Sequence, residues 1–552
     1  MTIRDQYLNR NRFWAAVLLA LMLAGPACSL LRGNPTTQIQ PNQSAIDSSE
    51  DQTTLPTVAL TQEPALASPI QVTVTLEEDR VAQADVNDEG GEVSAASSSG
   101  VEYHLSVPPG ALPDNYQIRM TPIKSMEGLP LSGGLLGGVQ LGPEGLVLLQ
   151  PAVLTVSLPE RTPPEEVVAF AYQGNGEHTH LYPASIEGNM LTFQISHFSG
   201  YGGGRGSPGE TSGWPPTGDP NADYEQQAAD YMRKHPNGQN DDAFIKLLRQ
   251  WFNEVIYPAL KAAEKDDATL DAAGAAFLDW AGQVSLMSLN EYLGKELKDG
   301  STSLLKGLAN SVDQSYQRCM QVNAYQASKM LRRLREIALL NGLYGGTAPQ
   351  GYTLEDKKPE LQSCLTFKLK LDSLVTWLAL DGEMKISTQV VGEVILRLNP
   401  ETWSVDGSGT VETRQYSVEF FGDMSECAAT PGEGQSASLD IEKALITWEG
   451  EDENTATPTV KIWLQPGMVM SGEMPGHCGD APDVPVKSVP TWTGGFVMAH
   501  EDRKTDLGYI FTEFAKGGGQ LFARLSMTEE KSMEGATVTD DLTLDLLHTP
   551  GE

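Results

Sequence analysis

The chain has 552 residues, 40 % of them hydrophobic, with 54 glycines, 34 prolines and a formal net charge of −35. At roughly 100–200 residues per domain, that is room for three or so domains with real cores, and the glycine and proline content suits turn-rich β structure. So acidic a surface repels phosphate backbones and excludes nucleic acid as an expected partner.

The N-terminus has the three parts of an export signal. Arg4, Arg10 and Arg12 are positive, Phe13 to Gly25 is apolar, and small residues lead to Cys28. The apolar run is too short to span a membrane comfortably. The site Gly25-Pro26-Ala27-Cys28 resembles a bacterial lipobox, in which the cysteine thiol takes a diacylglyceryl group and becomes the mature N-terminus. Ala27 fits that pattern; Gly25 and Pro26 depart from it, and Gly25 with Ala27 also fits an ordinary signal-peptidase site. Residues 1–27 are therefore expected to be a signal peptide, cut between Ala27 and Cys28. Residues 28–69, rich in Thr, Gln, Ser, Pro and Asn, read as a lipidated cysteine and a disordered tether. The expected location is extracytoplasmic and lipid-anchored to a bacterial membrane, with secretion as the alternative. Double acylation would hold the chain there stably.

Residues 70–204 carry short alternating apolar runs broken by Gly, Pro and Asn, the pattern of an antiparallel β-sandwich. The Pro108-Pro109-Gly110-Ala111-Leu112 knot removes two backbone donors and forces a turn. VPPGAL, LGPEGLVLLQPAVLTV and the terminal HFSGY, over about 90–204, resemble the ZU-5 domain, a module of receptors, junction proteins and bacterial surface proteins. That resemblance implies protein binding or packing on neighbouring domains, and an unknown protein partner. It also draws attention to His197-Phe198-Ser199, because some members of the family cleave themselves before the Ser of such a tripeptide. Ser199 Oγ would attack the Phe198 carbonyl and His197 would take the hydroxyl proton. The residues alone allow a plainer reading, with Phe198 in the core and its neighbours outward. Gly200-Tyr201-Gly202-Gly203-Gly204 reads as poor strand, and so as a weak clamp on the bond. His178-Thr179-His180, with Glu177, could face a metal but reads better as hairpin surface, and no metal or cofactor is expected.

Residues 205–222 form a Gly/Pro/Ser linker. Asp219, Asn221, Asp223 and Glu225 alternate like the start of a calcium loop, but Asp230 stands where a Glu belongs and helix-starting carboxylates explain the run more simply. From 223 to 346 the apolar period becomes helical, and a bundle of four or five helices is expected. One stripe is Phe244, Leu247, Leu248, Trp251, Val255 and Ile256. A second is Ala272, Ala276, Phe277, Trp280, Val284 and Leu286. The last is read as a single helix from Met320 through Leu340, stopped by Gly342; Arg332, Arg333 and Arg335 could pair with acidic neighbours, but a solvated face is the favoured reading.

Alternation returns over 352–552, where Leu365, Phe367, Leu369 and Leu371 share a face. Eight or more strands joined by short turns predict a β-meander closing as a barrel or sandwich, whose mouth could take an apolar small molecule. The fold class is thus multidomain α+β: sandwich, helical bundle, then β-meander. Five cysteines occur. With Cys28 lipidated, four remain, and shorter loops favour Cys319–Cys364 and Cys427–Cys478 among the three pairings. No catalytic signature is present, so intermolecular catalysis is not expected. Three functions stay open: a tethered interaction or scaffold protein, a self-cleaving protein that releases residues 199–552, and an apolar-ligand binder.

Overall fold

The computed structural model describes residues 68–158, 162–211, 214–235, 241–321, 323–379, 382–400, 405–429, 436–449, 457–466, 474–478, 484–486, 508–514, 520–533 and 536–552. The export signal, Ala27, Cys28 and the tether as far as residue 67 lie outside them. The fold is mixed α+β, with antiparallel strand pairing throughout its described sheets.

The alternating segments form twelve strands: β1 (Thr73–Leu76), β2 (Ala82–Val86), β3 (Gly91–Ala96), β4 (Glu102–Val107), β5 (Tyr116–Glu127), β6 (Leu135–Gly142), β7 (Val147–Ser157), β8 (Val167–Gln173), β9 (Glu177–Leu181), β10 (Ala184–Glu187), β11 (Met190–His197) and β12 (Gly200–Arg205). One sheet runs β1-β5-β6-β12-β8-β9, with β2 also on β5; the other runs β10-β11-β7-β4-β3. Tyr103, Leu154 and Phe193 of the second sheet and Ile118, Val139 and Tyr201 of the first meet in one buried core. Period-two alternation produces this directly, since every other side chain points inward.

Strand β12 corrects the expectation for Gly200–Gly204. The glycines form a central strand, hydrogen-bonded to β6 on one side and β8 on the other. Glycine is scarce in strands because it brings no side chain to pack. Here the neighbours supply the bulk. A Cβ on Gly200 would lie 2.0 Å from the Tyr172 ring, and one on Gly202 would lie 2.7 Å from that of Phe170.

The helices are α1 (Pro208–Thr211), α2 (Pro220–Lys234), α3 (Asp242–Trp251), α4 (Tyr257–Ala263), α5 (Leu270–Leu286), α6 (Asn290–Met320), α7 (Gln326–Leu340) and α8 (Leu354–Cys364), with a π turn, Phe252–Ile256, joining α3 to α4. Asp219 caps α2, its side chain accepting from Asn221 N–H, which explains the acidic run without calcium. The first stripe holds: Phe244, Leu248, Trp251 and Ile256 are buried. In α5, Ala272 and Leu286 lie on the open side, and the buried face is Leu270, Ala273, Phe277, Trp280, Ala281 and Val284. Met320 ends α6 rather than opening the next helix.

Beyond α8 come β13 (Thr366–Ala379), β14 (Met384–Leu398), β15 (Val405–Phe420), β16 (Cys427–Ala429), β17 (Ser436–Glu449), β18 (Thr457–Pro466), β19 (Met474–Cys478), β20 (Val484–Val486), β21 (Tyr509–Ile510), β22 (Glu513–Phe514), β23 (Leu521–Met533) and β24 (Ala536–His548). The main sheet runs β21-β18-β17-β15-β14-β13-β24-β23-β22. Its two end strands are joined by Phe511 and Thr512 alone. Three Cα steps reach about 11 Å at most, so the sheet curls until its ends nearly meet. Its inward side chains, among them Leu369, Val394, Ile462 and Leu544, belong to the same continuous buried cluster as Trp251 and Trp280 of the helices.

Gly200→Ala is expected to lower stability by about 1–3 kcal/mol through overpacking against Tyr172. Gly294→Ala, on α6 with open space around it, should leave stability unchanged or raise it by up to about 1 kcal/mol. Thermal unfolding of the two variants beside wild type checks both.

Candidate functional site

The HFS tripeptide sits where the chain crosses from one sheet of the sandwich to the other. His197 ends β11, and Gly200 begins β12. Phe198 is fully buried, its N–H donating to Leu146 O and its carbonyl accepting from Gly145 N–H at 2.9 Å each. The neighbours do not face solvent as the plainer reading had it. Ser199 is 1 % exposed, and its Oγ meets no partner at hydrogen-bond distance. His197 turns towards the helices, where its Nδ1 lies 2.9 Å from Asp279 Oδ2 on α5. Its carbonyl accepts from the Tyr201 hydroxyl at 2.8 Å.

This pair is one half of a seam. Ser196 Oγ donates to Leu278 O, also on α5. Gly282 comes close enough to Pro151 that an added Cβ would lie 3.0 Å from its ring. On α2, Glu225 Oε2 lies 2.8 Å from His180 Nε2, and both residues are buried. The other ring nitrogen of His180 meets the His178 carbonyl at 2.7 Å. His180 is therefore no surface group. His178 takes a left-handed φ of 50°, which breaks the strand alternation. Among the described residues no cluster of three or more His, Cys, Asp or Glu is arranged to hold a metal.

The electrostatics follow from burial and pairing. For His197 the largest effect is burial, which disfavours the charged ring. The charge and hydrogen bond of Asp279, with Glu225 and Glu144 beyond, outweigh it and push the imidazole up to about 9. Burial likewise opposes charge on His180, and Glu225 together with the His178 carbonyl overcomes it. Burial raises the Glu225 carboxyl as well, against the lowering effect of His180. Burial raises the phenols of Tyr182 and Tyr201 well above their ordinary range, leaving both neutral donors. They donate to the Gln194 and His197 carbonyls.

Of the two expected cysteine pairs, Cys319–Cys364 is present. Cys319 and Cys364 form a buried disulfide between the ends of α6 and α8, closing a loop of 45 residues. Cys427 is disulfide-bonded and stands opposite Cys478 in the register of β16 and β19. The arginines of α7 overturn the expected solvated face. Arg333 is 2 % exposed, and its Nη1 bonds Asp271 and Glu336 at 2.7 and 2.8 Å. Arg335 pairs with Asp114 of the sandwich.

Two partners escaped sequence reasoning: Asp279 for His197 and Glu225 for His180. They are 82 and 45 residues away from their histidines, beyond any local pattern. No protein-family model matches the chain, and no curated protein matches it. The ZU-5 resemblance therefore rests on its own residues.

The folded value for His197 lies above the ordinary 6.5. Its contribution to docking is thus complete below about 6.5 and is lost as pH rises through about 9. The melting temperature should fall between pH 7 and pH 10 more steeply in wild type than in His197→Gln, whose glutamine has no proton to lose. Parallel curves would remove the charge from the account of the seam.

Proposed function

We propose that the chain is an exported, membrane-tethered scaffold, with a sandwich resembling ZU-5 that holds the helices and the curled β-sheet as one unit above a bilayer. The observation that carries this reading is the buried Cys319–Cys364 disulfide, which pins α6 to the helix leading into β13. Disulfides of this kind form and persist in oxidising compartments, in keeping with the export signal read at 1–27. The second support is the use of the sandwich itself: its HFS end is occupied by the chain's own α5. Packing on a neighbouring domain is one of the two roles that the resemblance implies. No described helix is long and apolar enough to cross a membrane, and in this reading the lipid on Cys28 supplies the anchor. Full-length protein expressed in a bacterium should enter the detergent phase on Triton X-114 partition, and Cys28→Ser should move it to the aqueous phase. A wild type that stays aqueous would mean secretion in place of anchoring.

A second reading, self-cleavage before Ser199, is favoured by two specific contacts. Ser199 Oγ is buried without a partner, and Gly145 N–H already holds the carbonyl oxygen on which negative charge would develop. In the reaction, Oγ bonds to the Phe198 carbonyl carbon and its proton passes through His197 to the Ser199 nitrogen. The Phe198–Ser199 C–N bond then breaks, and water hydrolyses the resulting ester. The base must be neutral, and an imidazole held near 9 is mostly protonated at pH 7. The scaffold reading expects one denatured mass for residues 29–552 at pH 7 and at pH 9.5, identical in pattern to Ser199→Ala. Two fragments split before Ser199, growing faster at pH 9.5 and absent from the variant, would make release of residues 199–552 the function instead.

A further inference from the structure

A cleft of about 210 Å³ lies where the 145–149 stretch of the sandwich faces α5, α6 and α7. Its wall is of two kinds. Leu146, Leu278, Leu304 and Leu308 form an apolar side, and Asp271, Arg332, Arg333 and Glu336 form a polar one. Arg333 is the unusual member. It is almost completely buried, yet only its Nη1 is engaged, by Asp271 and Glu336. Its Nε and Nη2 are buried without a hydrogen-bond acceptor, while Nε of Arg332 makes only a long ion pair, 3.7 Å from Glu336 Oε1. Buried polar groups of this kind are normally satisfied, above all when charged.

The geometry points to an occupant. Nε and Nη2 lie on one edge of the guanidinium, the edge that receives both oxygens of a carboxylate side by side. Asp271 and Glu336 balance the two arginines in charge, so what the cleft offers an anion is the open edge of the Arg333 guanidinium. Size sets the rest. At about 30 Å³ for each water-sized group, the cleft encloses roughly seven heavy atoms and, being open on one side, lets a slightly larger ligand protrude into solvent. We propose that the cleft binds a small organic carboxylate bearing a short hydrocarbon or a single ring. Its head lies along Arg333 and Arg332, and its apolar part lies against the leucines. The site is independent of the HFS tripeptide's chemistry.

Isothermal titration of the mature chain with hexanoate and with benzoate tests this, with 1-hexanol as the uncharged control. At least one carboxylate should bind saturably with a Kd below 1 mM, and hexanol at least tenfold more weakly. Arg333→Met should weaken the carboxylate tenfold or more. Because that change removes a buried ion pair and can unfold the protein, Gly274→Leu provides the second arm: it fills the cleft from α5 and leaves both arginines in place. It should abolish binding while the chain still melts cooperatively. No saturable binding with a Kd below 1 mM would mean that ordered water alone meets the arginines and would overturn the proposal. Equal affinity for hexanol would overturn the carboxylate, and undiminished binding to folded Gly274→Leu would overturn the location.

Discussion

The contact between His197 and Asp279 joins the end of the sandwich's last hairpin to the middle of a helix far away in sequence. Burying either charge alone would be costly, because a lone ion loses its hydration and gains nothing in return. Together they hold β11 and α5 in one relative position. The adjacent contacts, Ser196 on Leu278 O and Gly282 against Pro151, need that same position. The His180–Glu225 pair repeats the device on α2. Two ion pairs on separate helices fix an orientation as well as a contact.

The tripeptide that invites chemistry is also the tripeptide that makes the seam. Phe198 fills the core, His197 reaches the helices, and the Gly145–Val147 turn clasps the backbone between them. A histidine in this place is committed to its carboxylate. That commitment favours a structural role, since the charge that strengthens docking also withholds the base that cleavage would require.

Much of the fold was legible in the sequence, because alternation of period two and stripes of helical period are local and burial follows them directly. The strands of 70–204 and the Phe244–Ile256 face were of this kind, and the Cys319–Cys364 pairing was legible on loop length instead. What escaped depended on distant partners. Gly200–Gly204 reads as poor strand until Tyr172 and Phe170 are seen to need the space above it. Arg333 reads as a solvated charge until Asp271, on another helix, folds back onto it. His180 reads as hairpin surface until α2 covers it with Glu225. In each case a residue was judged by its own preference, and the decisive group lay tens of positions away.

The placing of β24 has a consequence in time. This strand lies between β13 and β23, pairing with both. It also carries His548, whose Nε2 donates to Cys364 O at 2.7 Å and lies 3.9 Å from Cys319 Sγ. In the export proposed above, the chain emerges N-terminus first and presents both cysteines well before residues 536–548. During that interval the bond between them stands open on one flank to thiols and isomerases, so a wrong pairing can still be exchanged. Arrival of β24 completes the sheet and covers the sulfurs in the same step. On that proposal the crosslink is open to proofreading while the chain is incomplete, and it is sealed by the strand whose delivery shows that the rest has come through.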